Sequence, residues 1–284
     1  MLQKETLKHF KLFRTPFPLN GGVDQEADIY RSDDHRYLEA SIMEAARSGG
    51  FLAVVAQVGG GKSVMRKSAC EQLRRDGNIK VVFPQILDKS RITAASLCDA
   101  IILDVSDQTP RIKHEQKARQ TKALLTERSR EGTRCCLIVE EAHRLTVPAF
   151  KMIKQLYELE DGFRKLLAVI LIGQTELGEL LDETRHPEMR EVIRRAQIAH
   201  IDGLGGNLAA YLAFKFRRVG ASVDGAFDAD ALAGLEKRLT GTDDRGKPFS
   251  TAYPLSVNNA ACRAMNLAYE MGETLVTAEV VDAI

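Results

Sequence analysis

Lys62 and Ser63 follow three consecutive glycines in AQVGGGKS (Ala56–Ser63), a spacing suited to holding a chain of phosphates. Backbone N–H groups freed by glycine can surround a β-phosphate, and a following helix N-terminus adds partial positive charge. In such a loop the lysine reaches the β- and γ-phosphates and the hydroxyl holds Mg²⁺. Val58, Gly59, Gly60, Gly61, Lys62, Ser63 and Val64 are therefore the candidate nucleotide-binding residues, with Ser63 a candidate metal ligand. The first glycine of the pattern G-x-x-x-x-G-K-[ST] is Ala56 here, which requires only an ordinary negative φ at a strand end.

A second constellation lies in CCLIVEEAHRL (Cys135–Leu145), where five apolar residues lead into two carboxylates. In an open α/β sheet the C-terminal ends of the strands are where ligands bind. Glu140 is placed to hold Mg²⁺ through a water, and Glu141 to orient or deprotonate an attacking water. In LLAVILIGQTEL (Leu166–Leu177) a third apolar run ends at Gln174, a polar residue positioned to report on a γ-phosphate.

The elements that must position these residues follow from periodicity. FLAVVAQV (Phe51–Val58) is an apolar, β-branched run of strand length, and Val64, Met65, Cys70 and Leu73 mark a half-buried helix after the glycines. Residues 51–57, 79–86, 135–140, 166–173 and 197–201 read as strands. Thr93 to Val105, Lys113 to Arg130 and Pro148 to Glu160 carry helical spacing between them. This alternation predicts an α/β class with a parallel sheet. After IDGLGG (Ile201–Gly206) the pattern becomes helical only, so the reading divides the chain into residues 1–50, an N-terminal segment and helix, 51–203, an α/β core, and 204–284, a small helical domain. The acids of DDHR (Asp33–Arg36) read as an N-cap rather than as metal ligands.

Composition narrows the function classes. The formal net charge is only +1, so any nucleic-acid surface must be local. The five cysteines, Cys70, Cys98, Cys135, Cys136 and Cys262, lack metal-ligand spacing and read as free thiols of a reducing cytosol. MLQKETLKHFKLF has no signal-peptide core, and no apolar run nears the roughly 18 residues of a membrane span. The reading is of a cytoplasmic protein without a membrane partner.

In order and spacing, VGGGKS, LIVEEAHRL and LIGQTEL resemble the Walker A, Walker B and sensor-1 segments of AAA+ ATPases of the ExeA/MuB/TnsC type. FKLFRTPFPL (Phe10–Leu19), IYRSDDHRYLEA (Ile29–Ala40) and YLAFKFRRVGA (Tyr211–Ala221) are similar to that family's N-terminal segment, its helix before the first strand and the start of its lid. The resemblance implies a P-loop AAA+ core followed by a helical lid, with ATP and Mg²⁺ as cofactors. It also implies a homo-oligomeric ring or filament in which an arginine of one subunit reaches its neighbour's γ-phosphate. Arg194 and Arg195 in EMREVIRRAQIAHI (Glu188–Ile201) are the candidates, with Arg190 a third. The lid departs from the family: AYPLSVNN places Leu255 where many members carry an arginine, and Arg263 follows two turns later. Slow ATP hydrolysis, suited to a switch, is the expectation.

For the client, eight basic residues stand against three acids between Arg111 and Arg134. Arg111, Lys113 and Lys117, with Lys89 and Arg91, are candidate contacts to phosphates of double-stranded DNA, read without base specificity. The resemblance then offers two clients. One is a transposase, with a target-selection protein as a further partner, regulated by assembly on DNA in ATP and release on hydrolysis. The other is ExeA-like secretion assembly. The lack of a membrane span and the end of the chain at Ile284, soon after the lid, favour the first. A nucleotide switch without hydrolysis is a third expectation.

Overall fold

The computed structural model describes residues 1–19, 21–85, 92–242, 246 and 248–284. They form two compact units, Met1–Asp34 with Gly59–Val64 and Asp202–Ile284, and His35–Val58 with Met65–Ile201.

The second unit is built on five parallel strands. In chain order the elements wholly or mostly in it are α2 (Asp33–Ser48), β1 (Phe51–Ala56), α3 (Lys62–Arg75), β2 (Ile79–Val82), α4 (Ala94–Val105), α5 (His114–Arg130), β3 (Arg134–Glu140), α6 (Val147–Tyr157), β4 (Glu160–Asp161), β5 (Arg164–Lys165), β6 (Leu167–Gly173), α7 (Thr175–Leu180), α8 (Arg190–Ile193) and β7 (Gln197–Ile201); α1 (Lys4–His9) precedes them in the other unit. The sheet order is β2-β3-β6-β1-β7. Every pairing in it is parallel.

Strand side chains alternate between faces, and here both faces are apolar. Phe51, Ala53, Val55, Leu137, Val139, Val169 and Leu171 pack with Leu97, Ile101 and Ile102 of α4, Leu125 of α5 and Phe150 and Ile153 of α6. Leu52, Val54, Ile138 and Ile170 pack with Leu38 and Ile42 of α2 and Met65, Ala69 and Leu73 of α3. A parallel sheet covered on both sides explains why its strands read as unbroken apolar runs. The helix before β3 begins later than expected, at His114, and β2 stops at Val82, four residues short of the sequence reading, whose last position, Ile86, lies outside the described residues. The β4–β5 hairpin, directly before β6, had no apolar alternation to announce it. Helix α2 starts at Asp33, so Asp33 and Asp34 occupy its first turn, favourable with the helix dipole, rather than standing before it as a cap.

The other unit contains α9 (Leu208–Arg218), α10 (Ala229–Arg238), β8 (Thr240–Thr242), β9 (Pro248–Ser250), α11 (Pro254–Met271) and α12 (Ala278–Asp282). The expectation of helices alone is corrected by the antiparallel β8–β9 pair. The N-terminal residues share its core: Phe10, Leu12 and Phe17 are buried with Phe216 and Phe227, and Phe17 meets Phe216 edge-on at 6.0 Å. Lys215, 4% exposed, donates to the Gly21 carbonyl at 3.1 Å. Arg218 pairs with buried Asp28 at 2.6 Å. These bonds anchor the loop that follows the N-terminal segment. Among the described residues no helix is long and apolar enough to cross a membrane.

Candidate functional site

The sheet order dictates what stands side by side at its C-terminal edge. Strand β6 lies between β1 and β3, with Val55 opposite Gly173 and Glu140 opposite Ile172. The chain leaves β1 into the glycine loop, β3 into Glu141 and β6 into Gln174.

In the loop, Gly59 and Gly61 have φ of 78° and 89°. Both values lie in the left-handed region that glycine alone occupies without penalty, and α3 begins at the next residue, Lys62. The 14-residue α3 supplies a helix N-terminus at the loop's end. A side-chain-free curl with amides ahead of a helix fits a polyphosphate. Leu255, at the start of α11, lies so near that a Cβ on Gly59 would stand 2.6 Å from the Leu255 Cβ. The position where the resemblance places a cation thus carries an apolar contact to the loop. Arg263 is exposed eight residues along α11, about 12 Å by helical rise. Gly59→Ala should therefore weaken binding of an ATP analogue by about tenfold or more, since it adds both positive-φ strain and a clash. Equilibrium titration of a fluorescent analogue measures this, and unchanged affinity would remove the loop's conformation from the binding argument.

Glu141 is the only described non-glycine residue besides Lys11 with a left-handed backbone, φ 54° and ψ 36°. Such conformations cost of order 1–3 kcal/mol and cluster at functional sites. The turn aims the side chain toward β6: Gln174 Nε2 donates to Glu141 Oε2 at 3.3 Å. The Gln174 backbone N–H donates to His143 Nδ1, also at 3.3 Å. That bond places the ring proton on Nε2, which lies 3.7 Å from Glu141 Oε2. Gly173 makes the approach possible, because a Cβ there would stand 2.8 Å from Leu177 and 3.2 Å from the His143 backbone nitrogen. The structure brings Glu141 and Gln174 together and adds His143, whose only signal was its place two residues after the second acid.

Glu140 lies in an ion pair. Its Oε1 accepts from Arg66 Nε at 2.6 Å, with the two side chains only 23% and 20% exposed. The strand-end acid read as a metal ligand is held by a guanidinium from α3. The Ser63 hydroxyl is exposed and is an oxygen donor of the kind Mg²⁺ takes beside the oxygens of a bound nucleotide.

The three candidate finger arginines are all in ion pairs. Glu183 takes Arg190 at 2.6 Å and Arg194 at 3.2 Å. Arg195 stands 3.4 Å from Glu158. The hydrogen bond from Arg194, joined by the charge of Arg190, holds the Glu183 carboxyl below the usual carboxylate range. All three guanidinium side chains stay more than half exposed.

The basic run divides. Lys117 is buried and ion-paired with Asp99 at 2.7 Å, so α5 turns it into the protein and it leaves the set of candidate DNA contacts. Arg119 pairs with Glu115, Arg128 with Glu131 and Arg130 with Asp161. Arg111, Lys113 and Lys122 are exposed, and Lys89 and Arg91 lie outside the described residues. The five cysteines are free and buried; burial pushes the Cys135 thiol up to about 11.

Residues 45–181 match a family model described as an AAA domain. General secretion pathway protein A of Aeromonas hydrophila is 28% identical over 236 residues, 82% of this chain and 41% of that protein. The chain thus spans about two fifths of this relative's length. Among solved structures, Cdc6p from Pyrobaculum aerophilum aligns with a TM-score of 0.59 at 14% identity, over 92% of this chain and 67% of that one. The Aeropyrum pernix ORC1 protein in complex with DNA gives 0.55 at 14%, over 96% and 69%. At such identities the likeness is one of fold. The chain has the P-loop AAA+ fold, a five-stranded parallel sheet with helices and a helical C-terminal part.

Proposed function

We propose that this chain is a slow ATPase that works as an ATP-dependent switch. The observation that carries the reading is the positive-φ glycine loop that runs into Lys62–Ser63 at the start of α3; the left-handed Glu141 directly after β3 supplies the acid that the reading also needs. Loop amides and Lys62 would hold the phosphates and Ser63 the Mg²⁺, which supplies charge neutralisation when bound. Glu141 orients the attacking water, Gln174 holds the Glu141 carboxylate, and His143 keeps Gln174 in register. Leu255 in place of a lid cation leaves one fewer positive charge for the transition state and supports slow turnover.

The client we propose is double-stranded DNA, on which the protein assembles as a ring or filament and regulates a transposase until ATP is hydrolysed. The exposed Arg111, Lys113 and Lys122 support it. So does a neighbour of like fold solved in complex with DNA. The similarity to General secretion pathway protein A favours a second reading, secretion assembly.

Electron microscopy with duplex DNA, with and without a non-hydrolysable ATP analogue, separates the two. Nucleotide-dependent assemblies on DNA are the expected result, and assembly indifferent to DNA would move the client to the secretion class. Neutralising Arg111, Lys113 and Lys122 together should flatten the salt dependence of DNA binding, by about 0.9 in log–log slope for each phosphate that no longer meets a cation. ATP binding without DNA should stay within about twofold, because these side chains act on the polymer alone.

A further inference from the structure

Arg66 sits one turn beyond Ser63 on α3, on the face that also carries Lys62 and Cys70. Its Nε donates to Glu140 at 2.6 Å, a short charge-assisted bond. The guanidinium carbon lies 4.9 Å from the centre of the Phe83 ring, so the planar group is held from its face as well as its edge. Arg66 is thus held from β3 and from the end of β2, and Glu140 is its one anionic partner among the described residues.

The longer reach of glutamate has a consequence here. Its extra methylene, relative to aspartate, carries the carboxylate to α3. A carboxylate so engaged and three-quarters buried would have to abandon a guanidinium to take a cation, leaving Arg66 uncompensated. Glu140 is also the residue from which the chain turns into the left-handed Glu141. Whatever holds Glu140 sets the start of that turn.

We infer that Glu140 is committed to Arg66 and not to the metal. Arg66 is a positioning residue that, through Glu140, fixes the strand end from which Glu141 turns. The inference rests on the ATPase reading for its metal and kinetic parts, while the Arg66–Glu140 pair stands apart from it.

The test uses the full chain with Arg66→Met, the milder Arg66→Lys, Glu140→Gln, the Arg66→Met/Glu140→Gln double variant, and Ser63→Ala. Affinity for a fluorescent ATP analogue is measured in Mg²⁺ and in EDTA. The Mg²⁺-to-EDTA affinity ratio should stay within about twofold of wild type in Glu140→Gln and Arg66→Met, and fall by about tenfold or more in Ser63→Ala. Turnover should fall by about tenfold to a hundredfold in both pair variants at unchanged KM, as for a misplaced catalytic group, with Arg66→Lys intermediate. In nucleotide-free thermal unfolding the double variant should melt no lower than the worse single variant, the non-additivity of a direct pair. Loss of the Mg²⁺ preference in Glu140→Gln alone would overturn the inference, as would additive melting shifts. A wild type without nucleotide affinity would overturn the ATPase reading instead, and the melting cycle would still decide the pair.

Discussion

Glu141→Gln should lower turnover by about 10²–10⁴-fold, the range that a positioned general base contributes, while leaving nucleotide affinity nearly unchanged. Glutamine is isosteric with glutamate, so the packing and the left-handed turn can persist. What is lost is the ability to draw a proton from water or hold it by a full negative charge. The surroundings sharpen the expectation. Gln174 Nε2 donates to Glu141 Oε2, and His143 Nε2 lies beyond it. Those donors leave Glu141 Oε1 as the oxygen for a water. Single-turnover phosphate release, measured beside analogue binding on the same preparation, checks the prediction. Hydrolysis persisting at the wild-type rate would show that another group activates the water, and His143 would be the next to replace.

The glycine loop was legible because its chemistry is local. A phosphate cradle needs free amides, a cation and a hydroxyl within a few consecutive residues, and the flanking apolar run and helix spacing can be read in the same window. The sheet was legible for a related reason: strands buried on both faces carry little polarity to obscure them. The β4–β5 and β8–β9 hairpins were not, since strands of two or three mostly exposed residues have no pattern to display. The engagement of Glu140 was hidden for a third reason. Its partner Arg66 stands 74 positions earlier, and nothing in a charged residue's neighbours says which carboxylate it will meet. Lys117 shows the same limit from the other side. It sits in a basic run and reads as a surface charge, yet the helical phase of α5 sends it inward to Asp99. His143 was printed within the acid motif all along, but its role depends on a backbone N–H of β6's successor, which only pairing of β3 with β6 brings near.

The arginines before β7 carry the second large effect. If each nucleotide is shared between neighbouring subunits, Arg194→Ala/Arg195→Ala should cut turnover by about 10³-fold, the lower end for a guanidinium that meets the transferring phosphoryl group. The nucleotide should remain bound, because the missing charge acts on the transition state. Within one subunit these groups are spoken for only loosely. Glu183 serves both Arg190 and Arg194, and Glu158 serves Arg195 while also taking Lys154 at 2.8 Å. One acid facing two guanidiniums leaves a surplus positive charge at a surface more than half exposed. That arrangement leaves the arginines exposed and open to recruitment by a stronger anion. Mixing supplies a test that a structural role cannot imitate. Subunits with Glu141→Gln keep their arginines, and subunits without the arginines keep Glu141. In a random mixture of equal parts, a site is competent when its own Glu141 and its neighbour's arginines are both intact, about a quarter of sites, so activity should return to that order from two inactive parents. No recovery from mixing, or wild-type turnover in the double arginine variant, would confine each nucleotide to a single subunit.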